Sequence, residues 1–355
     1  YVLAVRGQVV RREAGRENPN LPSGEIEVHA QEIELLNAAK PLPFEVNRDV
    51  DVDESLRLKY RYLDLRRQRL RDAMLTRARI VRTMRDYLDE RGFVEIETPI
   101  LIKSTPEGAR DYLVPSRVHP GEFYALPQSP QQLKQILMVA GLDRYYQIAR
   151  CFRDEDLRAE RQPEFTQLDL EMSFVDRDDV MEIVEGLYIR IAQTCSERKL
   201  LSKPFPRFSY EEAIRRWGSD KPDLRFGVEL VDLSEDVRDT QFQAFASVLA
   251  SGGQVQGIVA PGWASLTRKD TDALIEQAKQ FGAKGLVTLA VEAAGLRGGA
   301  AKFLSEDETR RIVERSGANV GDMLLIIADQ PLVTAEVLGR LRLEVGRRRG
   351  LIDQN

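Results

Sequence analysis

The stretch that decides the fold is Phe152-Arg153-Asp154-Glu155-Asp156, followed after a short charged connection by Gln162-Pro163-Glu164-Phe165-Thr166-Gln167-Leu168-Asp169. Residues 145–152 have the composition of a strand, and residues 165–174 alternate between apolar and polar side chains. Pro163 interrupts the segment between them. We therefore predict two antiparallel strands that are joined by a charged loop.

The loop between these strands is unusually rich in charge. Composition alone favours a solvated surface loop. An arginine at the mouth of an antiparallel sheet is, however, a fixed bidentate donor for phosphate or carboxylate. Phe165 could stack on a purine, and Glu155 could accept from an exocyclic amine. This pattern is typical of a nucleotide site in which the α-phosphate is attacked and catalysis is mainly electrostatic. The charged residues within nine positions are Arg153, Asp154, Glu155, Asp156, Arg158, Glu160 and Arg161.

Length and composition exclude several classes of protein. The 355 residues suggest two or three domains. The net charge of −5 excludes a uniformly basic nucleic-acid binder, so RNA contacts would need the local clusters at 66–71 and 347–349, which are more often solvated helix faces. We find no run of ~18 apolar residues and no secretory leader, and we expect a cytoplasmic protein without a membrane segment. The chain lacks an initiator Met, and we expect a processed or truncated protein.

Cys151 and Cys195 are 44 positions apart. They have no CxxC spacing, and His29 and His119 are the only histidines that could join them. We interpret them as buried free thiols in a reducing cytosol rather than as metal ligands.

Regular patterns organise the rest of the chain. Residues 1–36 have strand character with turns near 18–24, and the spacing of Met74, Val81, Met84 and Leu88 predicts a long helix that ends at Gly92. A strand should follow at 93–99. The glycine-rich segment 295–299 matches no phosphate-binding template, and we interpret it as a turn. Further helices are predicted at 131–139, 179–192, 270–280 and 306–315, and further strands at 285–291 and 323–327.

Two segments together carry a family resemblance. Phe152-Arg153-Asp154-Glu155, with its loop and returning strand, resembles motif 2 of class II aminoacyl-tRNA synthetases. Gly92-Phe93-Val94-Glu95-Ile96-Glu97-Thr98-Pro99 follows a predicted long helix and resembles motif 1, which builds the dimer interface in that family. The resemblance therefore implies a homodimer with Pro99 at its interface.

Two more segments indicate the aspartyl subgroup. Ser104-Thr105-Pro106-Glu107-Gly108-Ala109-Arg110-Asp111 resembles its flipping loop, and Gln128-Ser129-Pro130-Gln131-Gln132-Leu133-Lys134 resembles its amino-acid pocket. A pocket for a side-chain carboxylate needs a buried cation such as Lys134, and the ammonium needs an anion such as Glu107. A neutral asparagine would leave the lysine unpaired, which is costly in a dry site. Without the resemblance, Lys134 would be interpreted as a surface lysine.

The resemblance implies a role for each matching residue. Arg153 is the expected catalytic residue, which would bridge the ATP α-phosphate and the aspartate carboxylate. Arg158 and Arg161 would reach the acceptor end of tRNA(Asp); tRNA(Asn) is a possible second partner. Magnesium is implied by the family, but its ligands are expected outside this chain, and no residue here is assigned to metal. ATP would contact Arg153, Asp154, Glu155, Gln162 and Phe165. L-Aspartate would contact Glu107, Ser129, Gln131, Lys134, Arg153 and Asp169.

The expected fold class is α+β, with a class II antiparallel sheet, flanking helices, a partial OB-fold barrel and an inserted α/β domain. Gly218-Ser219-Asp220-Lys221-Pro222 resembles the approach to the bacterial insertion. The expected domains are the C-terminal part of an anticodon-binding OB-fold (1–47), a linker or hinge (48–72), the catalytic domain with motifs 1 and 2 (73–228), the bacterial insertion (229–330) and a return towards the catalytic domain (331–355).

One departure keeps alternatives open. The family's motif 3, whose arginine clamps the ATP γ-phosphate, has no match before Asn355. We expect a fragment of a longer enzyme and little adenylate formation by the 355 residues alone. A catalytically incomplete paralogue that binds RNA is one alternative, and an asparaginyl- or lysyl-tRNA synthetase is another. Lys134 in its Gln-Ser-Pro context argues against the latter.

Overall fold

The computed structural model of the chain describes residues 1–48, 50–156 and 161–352. It forms two compact units, Tyr1–Val175 and Asp176–Asn355. Within the described ranges, no helix combines the length and the apolar character needed to cross a membrane.

The first unit opens with an antiparallel ribbon of β1 (Val2–Arg11) and β2 (Ile26–Asn37), which confirms the strands predicted there. Arg6 pairs with Glu32 and Gly7 pairs with Ala30, so Gln31 is an extra residue in β2. Such a β-bulge changes the phase of the alternation. The apolar positions of β2 therefore pass from even to odd numbers and stay on one face of the ribbon.

Two short helices, α1 (Glu54–Lys59) and α2 (Arg61–Asp64), lie where a linker was expected, and the long helix α3 (Gln68–Asp89) follows. Asp53 caps α1 by accepting from the backbone N–H groups of Ser55 and Leu56. Asp64 is buried and accepts from Arg61 at 2.6 Å and from Arg57 at 3.3 Å. These arginines lower the pKa of the Asp64 carboxyl against the opposing effect of burial.

The central sheet contains the predicted strand–loop–strand. Its strands are β3 (Val94–Glu95), β6 (Arg144–Phe152) and β7 (Glu164–Met172), with β6 antiparallel to β7 and parallel to β3. The strand β3 is shorter than the predicted 93–99, although the N–H of Ile96 still donates to the carbonyl of Tyr146. The elements between β3 and β6 are β4 (Leu113–Pro115), β5 (Phe123–Ala125) and α4 (Gln131–Val139), and α4 confirms the predicted helix.

Register sorts the side chains of β6 and β7 onto two faces. Cys151 lies opposite Phe165, and Gln147 lies opposite Asp169, so the odd-numbered residues share one face. The even-numbered Tyr146 points to the other face, where its hydroxyl donates to the Asp89 carboxylate of α3 at 2.8 Å. The odd face is therefore the one that is available for a site.

The second unit contains a fully antiparallel five-stranded sheet in the order β11-β10-β12-β9-β8. One apolar core lies between the sheet and helices α8 and α10, and a second includes residues of α7 and α9. Its elements are α5 (Arg177–Cys195), α6 (Tyr210–Trp217), β8 (Val231–Asp232), α7 (Gln243–Ala250), β9 (Gln254–Ala260), α8 (Arg268–Gln280), β10 (Val287–Glu292), β11 (Gly295–Arg297), α9 (Glu306–Ser316), β12 (Met323–Asp329) and α10 (Pro331–Arg348).

The mixture of helices with largely antiparallel sheets agrees with the predicted α+β class, and the helices and strands predicted between 179 and 327 are present. One prediction is wrong: the glycine-rich segment is more than a turn, because Gly295–Arg297 forms the edge strand β11 against β10. Gly295 starts that strand with φ of +124°, a conformation that glycine adopts readily. The OB-fold, the insertion and the domain boundaries remain predictions.

Arg342 of α10 is the most deeply buried arginine of the second unit, with 1% of its surface exposed. Its Nε donates to the carbonyl of Val228 at 2.9 Å. One terminal nitrogen donates to the carbonyls of Asp223, Phe226 and Gly227 at 2.7 to 3.0 Å. A single guanidinium thus satisfies most of the backbone acceptors of the segment that leads into the sheet.

Replacing Arg342 tests this anchor. Arg342→Met keeps an unbranched side chain but removes the donor from four backbone carbonyls, one of which belongs to the buried Phe226, so we expect the free energy of unfolding of the second unit to fall by about 3 kcal/mol. Urea denaturation measures this change. Arg340→Met, which removes an exposed arginine from the same helix, is the control. Equal losses in the two variants would contradict the assignment.

Candidate active site

The end of the β6–β7 hairpin forms the first part of the site. The N–H of Arg153 donates to the carbonyl of Pro163 at 2.8 Å, which closes the hairpin one step beyond the strands. A cavity of about 380 Å³ opens at this end. It gathers most of the residues predicted to bind ATP. Its lining is Arg153, Glu155, Asp156, Arg161, Gln162, Pro163 and Phe165.

Arg153 and Phe165 lie together in this cavity. The guanidinium carbon of Arg153 is 5.1 Å from the centre of the Phe165 ring, within the range of a cation–π contact. This contact holds a cation beside an aromatic face, the pair of groups that a nucleoside phosphate needs. Arg161 also lines the cavity, where it is 3.6 Å from Glu155. Arg158 lies outside the described residues.

Asp154 is placed differently from its neighbours. It lines a second cavity of about 270 Å³, which it shares with residues of the flipping loop, 104–111. Its backbone N–H donates to the carbonyl of Arg110 at 3.0 Å. The predicted contact of Asp154 with ATP therefore stays a prediction, and the structure shows a link between two loops instead.

Lys134 and Asp169 form a buried ion pair in the second part of the site. The Nζ of Lys134 is 2.8 Å from Asp169 and 3.3 Å from Glu171, and the two partners Lys134 and Asp169 are only 8% and 5% exposed. Burial raises the pKa of the Asp169 carboxyl, while the hydrogen bond and the charge of Lys134 oppose the rise. The interpretation of Lys134 as an exposed helix lysine is therefore excluded. Lys134 is buried, as the sequence suggested.

Glu107 and Ser129 meet in the same region. The Ser129 hydroxyl donates to one oxygen of the Glu107 carboxylate at 2.6 Å, and the Thr105 hydroxyl donates to the other at 3.1 Å. Gln131 is the first residue of α4, one turn before Lys134, and is half-buried. The predicted aspartate-binding residues other than Arg153, which lines the hairpin cavity, therefore lie near the start of α4 and the odd face of β7.

The thiol of Cys151 is influenced by charged groups from both parts of the site. Its thiol is fully buried on the odd face of β6. Burial raises its pKa to about 11, the charge of Arg153 lowers it, and the charges of Asp169 and Glu107 raise it. Groups from both parts thus act on one sulfur atom. Neither cysteine is in a disulfide, as predicted, although Cys195 is only partly buried.

The sequence reasoning gave no role to Gln128 and Gln147, which connect the site to its frame. The Gln147 side-chain oxygen accepts from the hydroxyl of Thr98, in the motif 1 segment, at 3.0 Å and from the hydroxyl of Tyr145 at 2.8 Å. Gln128 is 1% exposed and bonds to the flipping loop. An amide directly after an apolar run, as in Ala125-Leu126-Pro127-Gln128, was the signal that could have revealed the role of Gln128. Pro99 is exposed, and its place in a dimer stays a prediction.

Metal binding has no support from the part of the chain that the structure describes. Within it, no group of three or more His, Cys, Asp or Glu side chains could hold a metal ion. Three acidic residues of the site, Asp169, Glu107 and Glu155, instead contact Lys134, Ser129 and Arg161, respectively. They form no evident ligand set for the magnesium that class II synthetases use.

Comparison with known proteins gives consistent similarities. An aspartate–tRNA(Asp/Asn) ligase from Syntrophomonas wolfei is 58% identical over 352 residues, and one from Anoxybacillus flavithermus is 57% identical over 356 residues. An aspartate–tRNA ligase from Geobacillus kaustophilus is 54% identical over 355 residues. These alignments cover 99 to 100% of this chain and 60% of each relative. The chain thus spans about 60% of the length of these curated relatives.

The family model of the tRNA synthetases class II (D, K and N) matches residues 53–331, which are 279 of the 355 residues and include both parts of the site. Motif 1, the hairpin with Arg153 and the buried Lys134–Asp169 pair all lie inside this match, and so the chain belongs to the class II tRNA synthetases of the D, K and N group.

Proposed function

We propose that this chain supplies the amino-acid pocket and part of the ATP site of an aspartate–tRNA ligase. Such an enzyme joins L-aspartate to ATP as aspartyl-adenylate and then transfers the aspartyl group to the 3′ end of tRNA. The buried pair of Lys134 and Asp169 is the observation that carries the proposal. The names of the curated relatives support the choice of aspartate.

The charges of the pocket are complementary to aspartate. Lys134 offers an ammonium group that is held by the buried Asp169 carboxylate and the partly buried Glu171 carboxylate, and an incoming side-chain carboxylate would join this group. The ammonium of the substrate would pair with Glu107, whose carboxylate Ser129 already orients, and with Asp169. A lysine substrate would bring its cation towards Lys134, and asparagine would bring no charge to pair with it.

The hairpin cavity suits the phosphate side of the reaction. In adenylate formation, an oxygen of the aspartate α-carboxylate attacks the α-phosphorus, and pyrophosphate leaves. Negative charge grows on the phosphoryl oxygens in the transition state, and a fixed cation beside them lowers its energy. Arg153 is that cation, because its backbone closes the hairpin and its side chain packs on Phe165. Glu155 and Gln162 line the same cavity and would contact the nucleotide.

There are two candidates for the tRNA specificity of the enzyme: tRNA(Asp) alone, or both tRNA(Asp) and tRNA(Asn). Two relatives are named for both tRNA(Asp) and tRNA(Asn), whereas another at a similar identity is named for aspartate–tRNA ligation alone. Charging of tRNA(Asn) in addition to tRNA(Asp) is therefore the alternative. Arg161, exposed at the mouth of the cavity, would contact the acceptor end, and the same role is proposed for Arg158.

The proposal also covers the domains, the dimer interface, the metal ion and the location of the protein. The apolar face of the β1–β2 ribbon, on which Val9 is 60% and Ile33 is 63% exposed, fits a strand pair from an OB-fold barrel. Residues 229–330 fit a bacterial insertion, and Pro99 fits a homodimer interface. Magnesium would accompany ATP, and the cytoplasm is the proposed location.

Amino-acid-dependent pyrophosphate exchange tests the proposal. The full-length gene product is assayed with aspartate, asparagine and lysine, and transcripts of tRNA(Asp) and tRNA(Asn) are then charged. We expect exchange with aspartate and charging of tRNA(Asp). Exchange with asparagine or lysine instead would reassign the substrate. No exchange with any of the three, together with retained tRNA binding, would favour the non-catalytic RNA-binding alternative.

Lys134→Leu tests the pocket. The variant removes the cation and leaves Asp169 buried without its partner, so aspartate-dependent exchange should fall by at least about 100-fold in kcat/KM. Binding of ATP, measured by equilibrium titration, should remain. Lys199→Leu, which changes an exposed lysine, is the matched control. An unchanged KM for aspartate would refute the pocket assignment.

Arg153→Ala tests the phosphate clamp. Because the contact strengthens as charge develops, kcat/KM for exchange should fall by about 100- to 1000-fold. Arg150→Ala provides the control, since Arg150 is on the same strand but on the even face, where it pairs with Glu164. A loss below tenfold in Arg153→Ala, or an equal loss in the control, would count against the role.

A further inference from the structure

The buried side-chain amide of Gln128 bonds the flipping loop, residues 104–111, to its surroundings. The Nε2 of Gln128 donates to the carbonyl of Ala109 at 2.8 Å, and its Oε1 accepts from the N–H of Ala109 at 3.0 Å. A side-chain amide thus bonds both backbone groups of one residue, as a neighbouring β-strand would. With 1% of its surface exposed, Gln128 makes these bonds away from competing water.

Further contacts fix the base of the loop. Gln128 also donates to the Asp111 carboxylate, which accepts from the Ser104 hydroxyl at 2.5 Å. The two ends of segment 104–111 are therefore tied together. The carbonyl of Arg110 accepts from the backbone of Asp154, so the base is also joined to the hairpin with Arg153.

The tip of the loop is held differently. Glu107 at the tip is bonded through its side chain to Ser129 and Thr105. Gly108 follows with φ of +102°, and a Cβ built on it would meet nothing within 4 Å. This residue therefore provides conformational freedom between the fixed Ala109 and the functional carboxylate of Glu107.

We infer that Gln128 is a positioning residue for aspartate: its amide fixes Ala109 so that rotation about Gly108 brings Glu107 onto the substrate ammonium. The inference rests on the proposed function. Gln128 touches no substrate in this arrangement and acts through the loop backbone. Its effect should therefore fall on aspartate rather than on ATP.

The chemistry of the amide makes the inference specific. A carboxylate at this position can accept from the N–H of Ala109 but cannot donate to its carbonyl, and it would face the Asp111 carboxylate in a buried site. Gln128→Glu should release the loop, although its size and shape are nearly unchanged. Protonation at lower pH restores one donor, and Asp111→Asn removes the repulsion. Both should therefore restore part of the lost function.

The test compares Gln128→Glu and Gln128→Met with Gln135→Glu, which changes an exposed glutamine of α4. In pyrophosphate exchange by the full-length gene product, the first two variants should raise the KM for aspartate by about 10- to 100-fold, the cost of one or two buried hydrogen bonds. The KM for ATP should change less than about threefold, because the loss of a hydrogen bond weakens the binding only of the ligand whose site depends on that bond. The exchange rate of Gln128→Glu should recover as pH falls and in the double variant with Asp111→Asn.

Amide hydrogen exchange of the peptide spanning 104–111 provides a second measurement that needs no substrate. It should become faster in Gln128→Glu and Gln128→Met but not in Gln135→Glu. An unchanged KM for aspartate in both Gln128 variants would overturn the inference. So would parallel losses for ATP and aspartate together with a lowered Tm, because these would indicate general destabilisation. If the wild-type protein shows no aspartate-dependent exchange, the proposed function fails, and the hydrogen-exchange result still reports whether Gln128 fixes the loop.

Discussion

The register between β6 and β7 is the constraint on which the site depends. Because Cys151 faces Phe165 and Gln147 faces Asp169, the arginine-bearing end and the buried carboxylate share one face of a rigid hairpin. A slip by one residue would move every one of these side chains to the opposite face. Tyr146 helps to exclude that slip, since its hydroxyl bond to Asp89 fixes the other face on α3. The positions of the charged groups in the site are thus determined by the backbone pairing of β6 and β7.

The charged residues around this hairpin come from both rigid elements and an adjustable loop. Lys134 comes from a helix and Asp169 from a strand, and burial of both keeps them in one geometry. Glu107 comes from a loop whose base is fixed, and it lies immediately before Gly108, a glycine with φ of +102°. In the proposed function, such an arrangement would let aspartate enter before Glu107 closes on it.

Much of this was predictable from local patterns. The helix α4 and the hairpin strands follow directly from periodicity, and the family resemblance identified Lys134, Arg153 and Phe165, which the structure places in two adjacent clusters. Gln128 was missed because the partner of a buried amide is set by tertiary contacts. The strand β11 was missed because it has only three residues, begins with a glycine and lies in a glycine-rich segment, so its conformation depends on pairing with β10 rather than on local propensity.

The anchor made by Arg342 has a consequence for the origin of the segment that contains the five-stranded sheet. The segment that enters the five-stranded sheet, from Asp223 to Val228, lies directly against the helix by which the chain leaves it. The backbones of Gly218 and Gly339 also approach so closely that a Cβ on Gly339 would come within 2.6 Å of the Gly218 oxygen. Entry and exit are therefore side by side, and a short connection could join them. A segment with this geometry can be acquired or lost in a single genetic event without rethreading the rest of the chain.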